Sequence, residues 1–140
     1  MLSPRVSKLH QVVSTYLLSK PAFTNLATLE TRHTVTKANL ATKGVVVVGY
    51  LNDLLEGNSI SRHGRSPAFS FVCYHTTYAR CLQLLETVCD LMDSWGSSDL
   101  AMDGQMVWGG YRVNSVGPVY EPATTVFLSN VDYRFALTLT

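Results

Sequence analysis

The stretch His75–Gly96, HTTYARCLQLLETVCDLMDSWG, narrows most what this chain can fold into. Its apolar residues Tyr78, Cys81, Leu82, Leu85, Val88, Cys89, Met92 and Trp95 recur at steps of three and four. That spacing draws one continuous stripe along a helix of about five turns. Thr76 or Thr77 is placed to cap the amino end by accepting a backbone N–H, and Gly96 to close the other end in a left-handed conformation. Glu86, Asp90 and Asp93 fall on or beside the opposite, wet face. Leu84 and Leu91 widen the stripe, which predicts a broad partner such as a sheet. The stripe is therefore core rather than chemistry.

The flanking segments supply that sheet. Val45–Val48, inside Gly44–Leu51, are four consecutive β-branched residues, which resist a helix and suit a strand buried on both faces or central in a sheet. Ala68–Tyr74 alternates Phe69, Phe71 and Cys73 with Ser70, Val72 and Tyr74, as a strand does. Met106–Val116 reads as a third strand, with Val107, Gly109, Tyr111 and Val113 on one side and Trp108 on the other. Gly109-Gly110 marks a bulge or a close backbone approach. Gly117-Pro118 and Glu121-Pro122 are expected to break the chain, and Val131–Thr140 alternates strictly, as a half-buried strand would.

At the amino end, Ser3 as cap and Pro4 at the first helical position open a helix whose face carries Val6, Leu9, Val13, Tyr16 and Leu17, and Lys20-Pro21 ends it. Residues 21–43 are rich in threonine and fit either an extended run around Leu29–Thr36 or a loop with a short helical turn. Between the first two strands, Asn52–Pro67 reads as a long hairpin arm, since a connection of that length is uncommon unless functional. The expected fold class is α+β, as a single domain over residues 1–140. It has a mostly antiparallel sheet of four or five strands, two amphipathic helices packed on one face, and the arm.

Charge is scarce: 15% of the 140 residues are charged, and the net charge is +1. The totals therefore do not describe a nucleic-acid binder. Their distribution is informative. Residues 1–70 hold eight Lys/Arg against three Asp/Glu, and residues 71–140 hold three against seven, so the halves carry +5 and −4. Such polarity suits head-to-tail contacts between copies. Cys73, Cys81 and Cys89 read as buried free thiols of a reducing compartment. No apolar run approaches the roughly 20 residues of a membrane span, and the amino end lacks the order of a signal peptide, so a cytosolic origin without a membrane is expected.

Catalytic and metal sites are not expected. His10, His33, His63 and His75 lack metal-ligand spacing, and no phosphate loop, dinucleotide fingerprint or nucleophile elbow occurs. Cys73 and His75 share a strand face and leave a small enzyme open as a rival, although no third group is placed to orient them. Asp99 and Asp103 fall in a loop without the calcium-loop spacing and read as acidic surface. Arg62, His63 and Arg65 form a basic arm tip, too small to hold nucleic acid alone but multiplied in a ring of copies. Ser59, Arg62, His63, Arg65, Asp99 and Asp103 are thus the candidate contacts to neighbouring subunits or partners.

Four features together resemble the small tail-terminator and minor capsid (neck) proteins of long-tailed bacteriophages. They are the helix over Leu2–Ser19, the strands Val45–Leu51 and Phe69–Tyr74 joined by a long arm, the helix opening YHTTYARCLQLLETV, and the ending FLSNVDYRFALTLT. The resemblance implies a virion structural protein without cofactor or catalytic residues, assembling into a homo-oligomeric, six-membered ring. Such a ring caps the head-proximal end of the tail tube and joins it to the head connector proteins, with DNA only passing through its lumen. The threonine-rich stretch 21–43 departs from the pattern. A neighbouring head-tail connector or completion protein and a non-viral protein-binding module stay open as alternatives.

Overall fold

The computed structural model describes residues 6–30, 43–54, 64–96, 99–100 and 105–139. In chain order these form α1 (Val6–Leu18), α2 (Pro21–Thr24), β1 (Ala27–Leu29), β2 (Gly44–Leu54), β3 (Gly64–His75), α3 (Tyr78–Asp93), β4 (Gln105–Glu121) and β5 (Val126–Leu139). The strands build one five-stranded sheet in the order β1-β2-β3-β5-β4. β1 runs parallel to β2 and every other neighbouring pair is antiparallel, so the fold is α+β with a mixed sheet.

The core forms where the two periodicities meet. Alternation on β3 sends Phe69, Phe71 and Cys73 to one side, and alternation on β5 sends Val131, Tyr133, Phe135 and Leu137 to the same side. There they join Leu9, Val13 and Leu17 of α1 and Leu84, Val88 and Met92 of α3 in one apolar cluster. Phe71 and Tyr133 meet edge-on at 5.8 Å. The Tyr16 hydroxyl donates to the Leu91 carbonyl (2.7 Å), which ties α1 to α3. A smaller second cluster, Val45, Tyr74 and Val126, packs with Val47, Val72 and Leu128.

The central helix is shorter than its stripe. Thr77 is the cap: its backbone is extended (φ −127°, ψ 154°) and its hydroxyl accepts from the Arg80 N–H. The other end closes at Ser94, whose N–H donates to the Leu91 carbonyl, rather than at Gly96. Ser94 also binds the Asp90 carbonyl through its hydroxyl (2.6 Å), satisfying a terminal acceptor without a glycine. Tyr78, counted in the stripe, lies 53% exposed and meets Phe127 of β5 edge-on.

The C-terminal hairpin corrects two expectations. β4 does not stop at Gly117-Pro118 but runs on to Glu121, with a register shift between Val116 and Val119. An edge strand tolerates a proline because one side of its ladder needs no donor. Further shifts at Val107/Gly109 and Arg112/Asn114 break the period of two. Val107 is consequently buried while Tyr111 and Val113, expected on its side, are exposed. Gly110 is the close approach: a Cβ built there would lie 2.9 Å from the Phe135 ring. The turn after Glu121 holds Thr125 at φ 56°, a left-handed conformation unusual for a β-branched residue.

The threonine-rich stretch begins with a helical turn at Pro21–Thr24 and a short strand at Ala27–Leu29, while the extended run expected around Leu29–Thr36 lies from residue 31 onward outside the described residues. Its remainder, 31–42, lies outside the described residues, as do the Ser3 cap and Pro4. The arm is shorter at its base than expected. Asn52, Asp53 and Leu54 pair with Ala68, Pro67 and Ser66, and Gly64 and Arg65 pair with Thr138 and Leu137 of β5. These residues belong to the sheet because a third strand supplies backbone partners, a non-local gain that local composition does not register. The connection 55–63 lies outside the described residues.

Candidate assembly surfaces

Among the described residues the sheet has two edges, and they differ. On one side β4 is paired to β5 alone among them. Along it Tyr111, Val113, Val116, Val119 and Tyr120 are 43–61% exposed, with Arg112, Asn114 and Ser115 exposed between them and Val119 and Tyr120 on opposite faces. On the other side β1 covers only Gly44–Val46 of β2. Past that point the His10 Nε2 of α1 donates to the Val48 carbonyl (2.8 Å), bridging helix and strand.

Around that bridge lies an open groove of about 410 Å³, lined by Val6, Ser7, His10, Tyr50 and Phe69. His10 also borders a second depression of about 250 Å³, with Ser14, Leu18, Leu29, Glu30 and Val48. Leu18, Tyr50 and Leu51 stand about half exposed on this side. Among the described residues nine large apolar side chains are exposed, and eight of them lie on these two edges. The ninth, Tyr78, joins the β4 side through Phe127, which also meets Tyr120 at 5.3 Å.

In charge, α1, α2, β1 and β2 hold Lys8 and Asp53, with Lys20, Lys43 and Glu30 in the segments beside them, while α3, β4, β5 and the loop residue Asp99 carry Arg80, Arg112 and Arg134 against six carboxylates. Two of these arginines are already engaged within the subunit. Arg112 pairs with Asp93, whose other oxygen accepts from the Tyr133 hydroxyl (2.6 Å). Arg134 is buried, donating to the Ser66 carbonyl and to Asn52 Oδ1 (2.7 Å).

Of the residues singled out in the sequence, Ser59, Arg62, His63 and Asp103 lie outside the described residues. Arg65 is placed on β3 opposite Leu137. Asp99 is exposed, and its carboxylate accepts the Gly96 N–H (2.6 Å), a turn-forming bond. What sequence reading missed is the edge row of β4 and the α1–β2 groove. The exposed run of valines and tyrosines at 111–120 was a usable signal, but the assumed break at Gly117-Pro118 hid it.

The Cys73–His75 pair has no arrangement for nucleophilic chemistry. Burial pushes the Cys73 thiol far above its ordinary pKa, with the Cys81 thiol beside it adding to the shift. Cys81 Sγ donates to the Cys73 carbonyl and to Ser129 Oγ. His75 Nδ1 accepts the Thr76 N–H (2.8 Å), a local turn contact. Among the described residues no group of three His, Cys, Asp or Glu comes together to hold a metal ion, and no helix is long and apolar enough to cross a membrane.

Burial, and after it the Arg80 guanidinium, lowers the pKa of His75. The unfolded chain takes up this proton near pH 6.5 and the folded chain only at lower pH. His75 thus contributes stability that is full above about pH 6.5 and lost as pH falls through the lowered folded value. Denaturant unfolding at pH 7.5 and pH 5 should show the decline, and His75→Gln should flatten that part of it. An unchanged slope in the variant would remove His75 from the account.

Compared with known proteins, the chain matches no family model, and no curated protein is significantly similar to it.

Proposed function

We propose that the protein is a virion structural subunit, a tail terminator of a long-tailed bacteriophage. In this reading copies of the chain form a ring, of about six by the sequence resemblance, that caps the head-proximal end of the tail tube and meets the head connector. The observation that carries the self-assembly part is the exposure, among the described residues, of large apolar side chains along β4 and, on the other side of the sheet order, at Leu18 of α1 and Tyr50 and Leu51 of β2. Apolar surface gathered into patches marks contact surfaces, and two patches on opposite sides suit repeated contact between identical subunits. The step from a ring to the tail tube rests on the sequence resemblance, a fold-level analogy. The finer picture of two amphipathic helices on one sheet face, with an arm reaching a neighbour or the tube, belongs to this reading.

The test is to add the purified protein to polymerising tail tube protein and image the tubes. Shortened tubes with a ring of density at one end are expected. Tubes of unchanged length with bare ends would reject the terminator assignment, and binding to head connectors alone would favour the neighbouring connector reading. A protein-binding module is the second reading, supported by the open apolar groove beside His10. That reading requires a subunit that stays monomeric with the groove free.

A further inference from the structure

We propose that the cleft between the α2–β1 turn, the end of β3 and the first turn of α3 binds a single phosphate group, as the free anion or a monoester. The site is separate from the apolar surfaces and does not depend on the assembly reading. The cleft holds about 200 Å³ and is lined by Asn25, Leu26, His75, Arg80 and Gln83. That is below the roughly 300–1,000 Å³ of sites for drug-sized ligands, so it suits a small group. Four of its five side chains can donate hydrogen bonds, and no carboxylate is among them.

His75 is the fixed, buried part of the site, only 6% exposed. Its Nδ1 accepts the Thr76 N–H, which leaves the proton of the neutral ring on Nε2. Among the described residues Nε2 donates to no group of the chain, and no buried side-chain nitrogen or oxygen lacks a partner. Nε2 is therefore not sealed in; it opens on the cleft that His75 lines. Gly44 makes room for the ring, since a Cβ there would lie 2.8 Å from His75 Cδ2. Arg80 supplies the charge. It stands in the first turn of α3, where the helix dipole disfavours a cation, and no acidic residue shares that turn. Among the described residues its guanidinium has no hydrogen-bond or ion-pair partner. Lys43, whose Nζ donates to the Thr24 carbonyl (2.7 Å), places a second cation one residue along the chain from Asn25. A phosphate offers two oxygens to the guanidinium fork and others to Nε2–H and the amides of Asn25 and Gln83. A carboxylate has only two oxygens, and the fork would take both.

The test titrates inorganic phosphate into the full chain at constant ionic strength, with chloride as the balancing anion, and follows backbone amides by NMR. Saturable shifts are expected at Thr76–Arg80 and Asn25. Equal binding of phenyl phosphate would uphold the site and assign it to a monoester, whereas binding of inorganic phosphate alone would uphold it for the free anion. Arg80→Gln removes the guanidinium, and Gln83→Glu puts a repelling carboxylate in the cleft. Both positions are exposed, so the fold should persist, which circular dichroism checks. Each change should weaken phosphate binding about tenfold or more, the scale of losing a hydrogen bond to a charged group. Lys8→Gln, which removes the same charge from α1, should leave the affinity unchanged. Phosphate shifts that never saturate, or equal affinity in Arg80→Gln and wild type, would overturn the inference.

Discussion

Phe135→Ala is expected to cost the fold about 3–5 kcal/mol, a large share of the roughly 5–15 kcal/mol that holds a domain of this kind together. Phe135 is 1% exposed and links three parts of the core. It meets Phe69 of β3 edge-on at 6.0 Å and Trp95, just past α3, at 6.4 Å, while Gly110 of β4 lies against its ring. Truncation removes the aromatic pairs and leaves a cavity that three separate elements would have to close. Gly110→Ala should be costly in the wild type, where its new methyl meets the ring. In a Phe135→Leu background the same change should cost less. Denaturant midpoints of the four proteins give this coupling directly, and additive losses would show that the contact is not rigid.

Arg134→Leu should cost about 2–3 kcal/mol, the scale of losing hydrogen bonds made by a buried charged donor. The side chain starts on β5 and spans β3 to reach Asn52 on β2, binding the Ser66 carbonyl on the way. It therefore fastens three strands at the base of the β2–β3 hairpin. The loss should be local before it is global. Hydrogen exchange should accelerate at the Asn52–Leu54 and Ser66–Ala68 ladder, with β5 around Val131 less affected. Arg134→Lys should recover only part of the stability, because an ammonium lacks the planar fork that addresses two acceptors. Equal protection of the hairpin in Arg134→Leu and wild type would contradict the fastening role.

Much of the fold was legible because two periods dominate it. The alternation at Val131–Leu137 and the three-and-four spacing from Cys81 to Met92 each specify a buried face, and those faces meet. The errors fall where a neighbour decides the outcome. Gly117-Pro118 looks like a break, yet an edge strand accepts it; Gly64–Pro67 looks like a loop, yet β5 pairs with its first two residues. The register shifts of β4 are equally non-local, and they turn Tyr111 and Val113 outward where simple alternation placed them with Val107. The charge polarity of the two halves was legible, whereas the strand order β1-β2-β3-β5-β4 was not, because it depends on non-local pairing. The groove could not be read at all, since it joins α1 to β2 and β3 across some 60 residues.

If identical subunits associate through their exposed apolar surfaces, light scattering after size exclusion, over a wide range of protein concentration, should give a species near six times the 15.5 kDa chain mass, with rings visible in negative stain of the same peak. A 15.5 kDa monomer at every concentration would contradict it and return the groove to the binding-module reading.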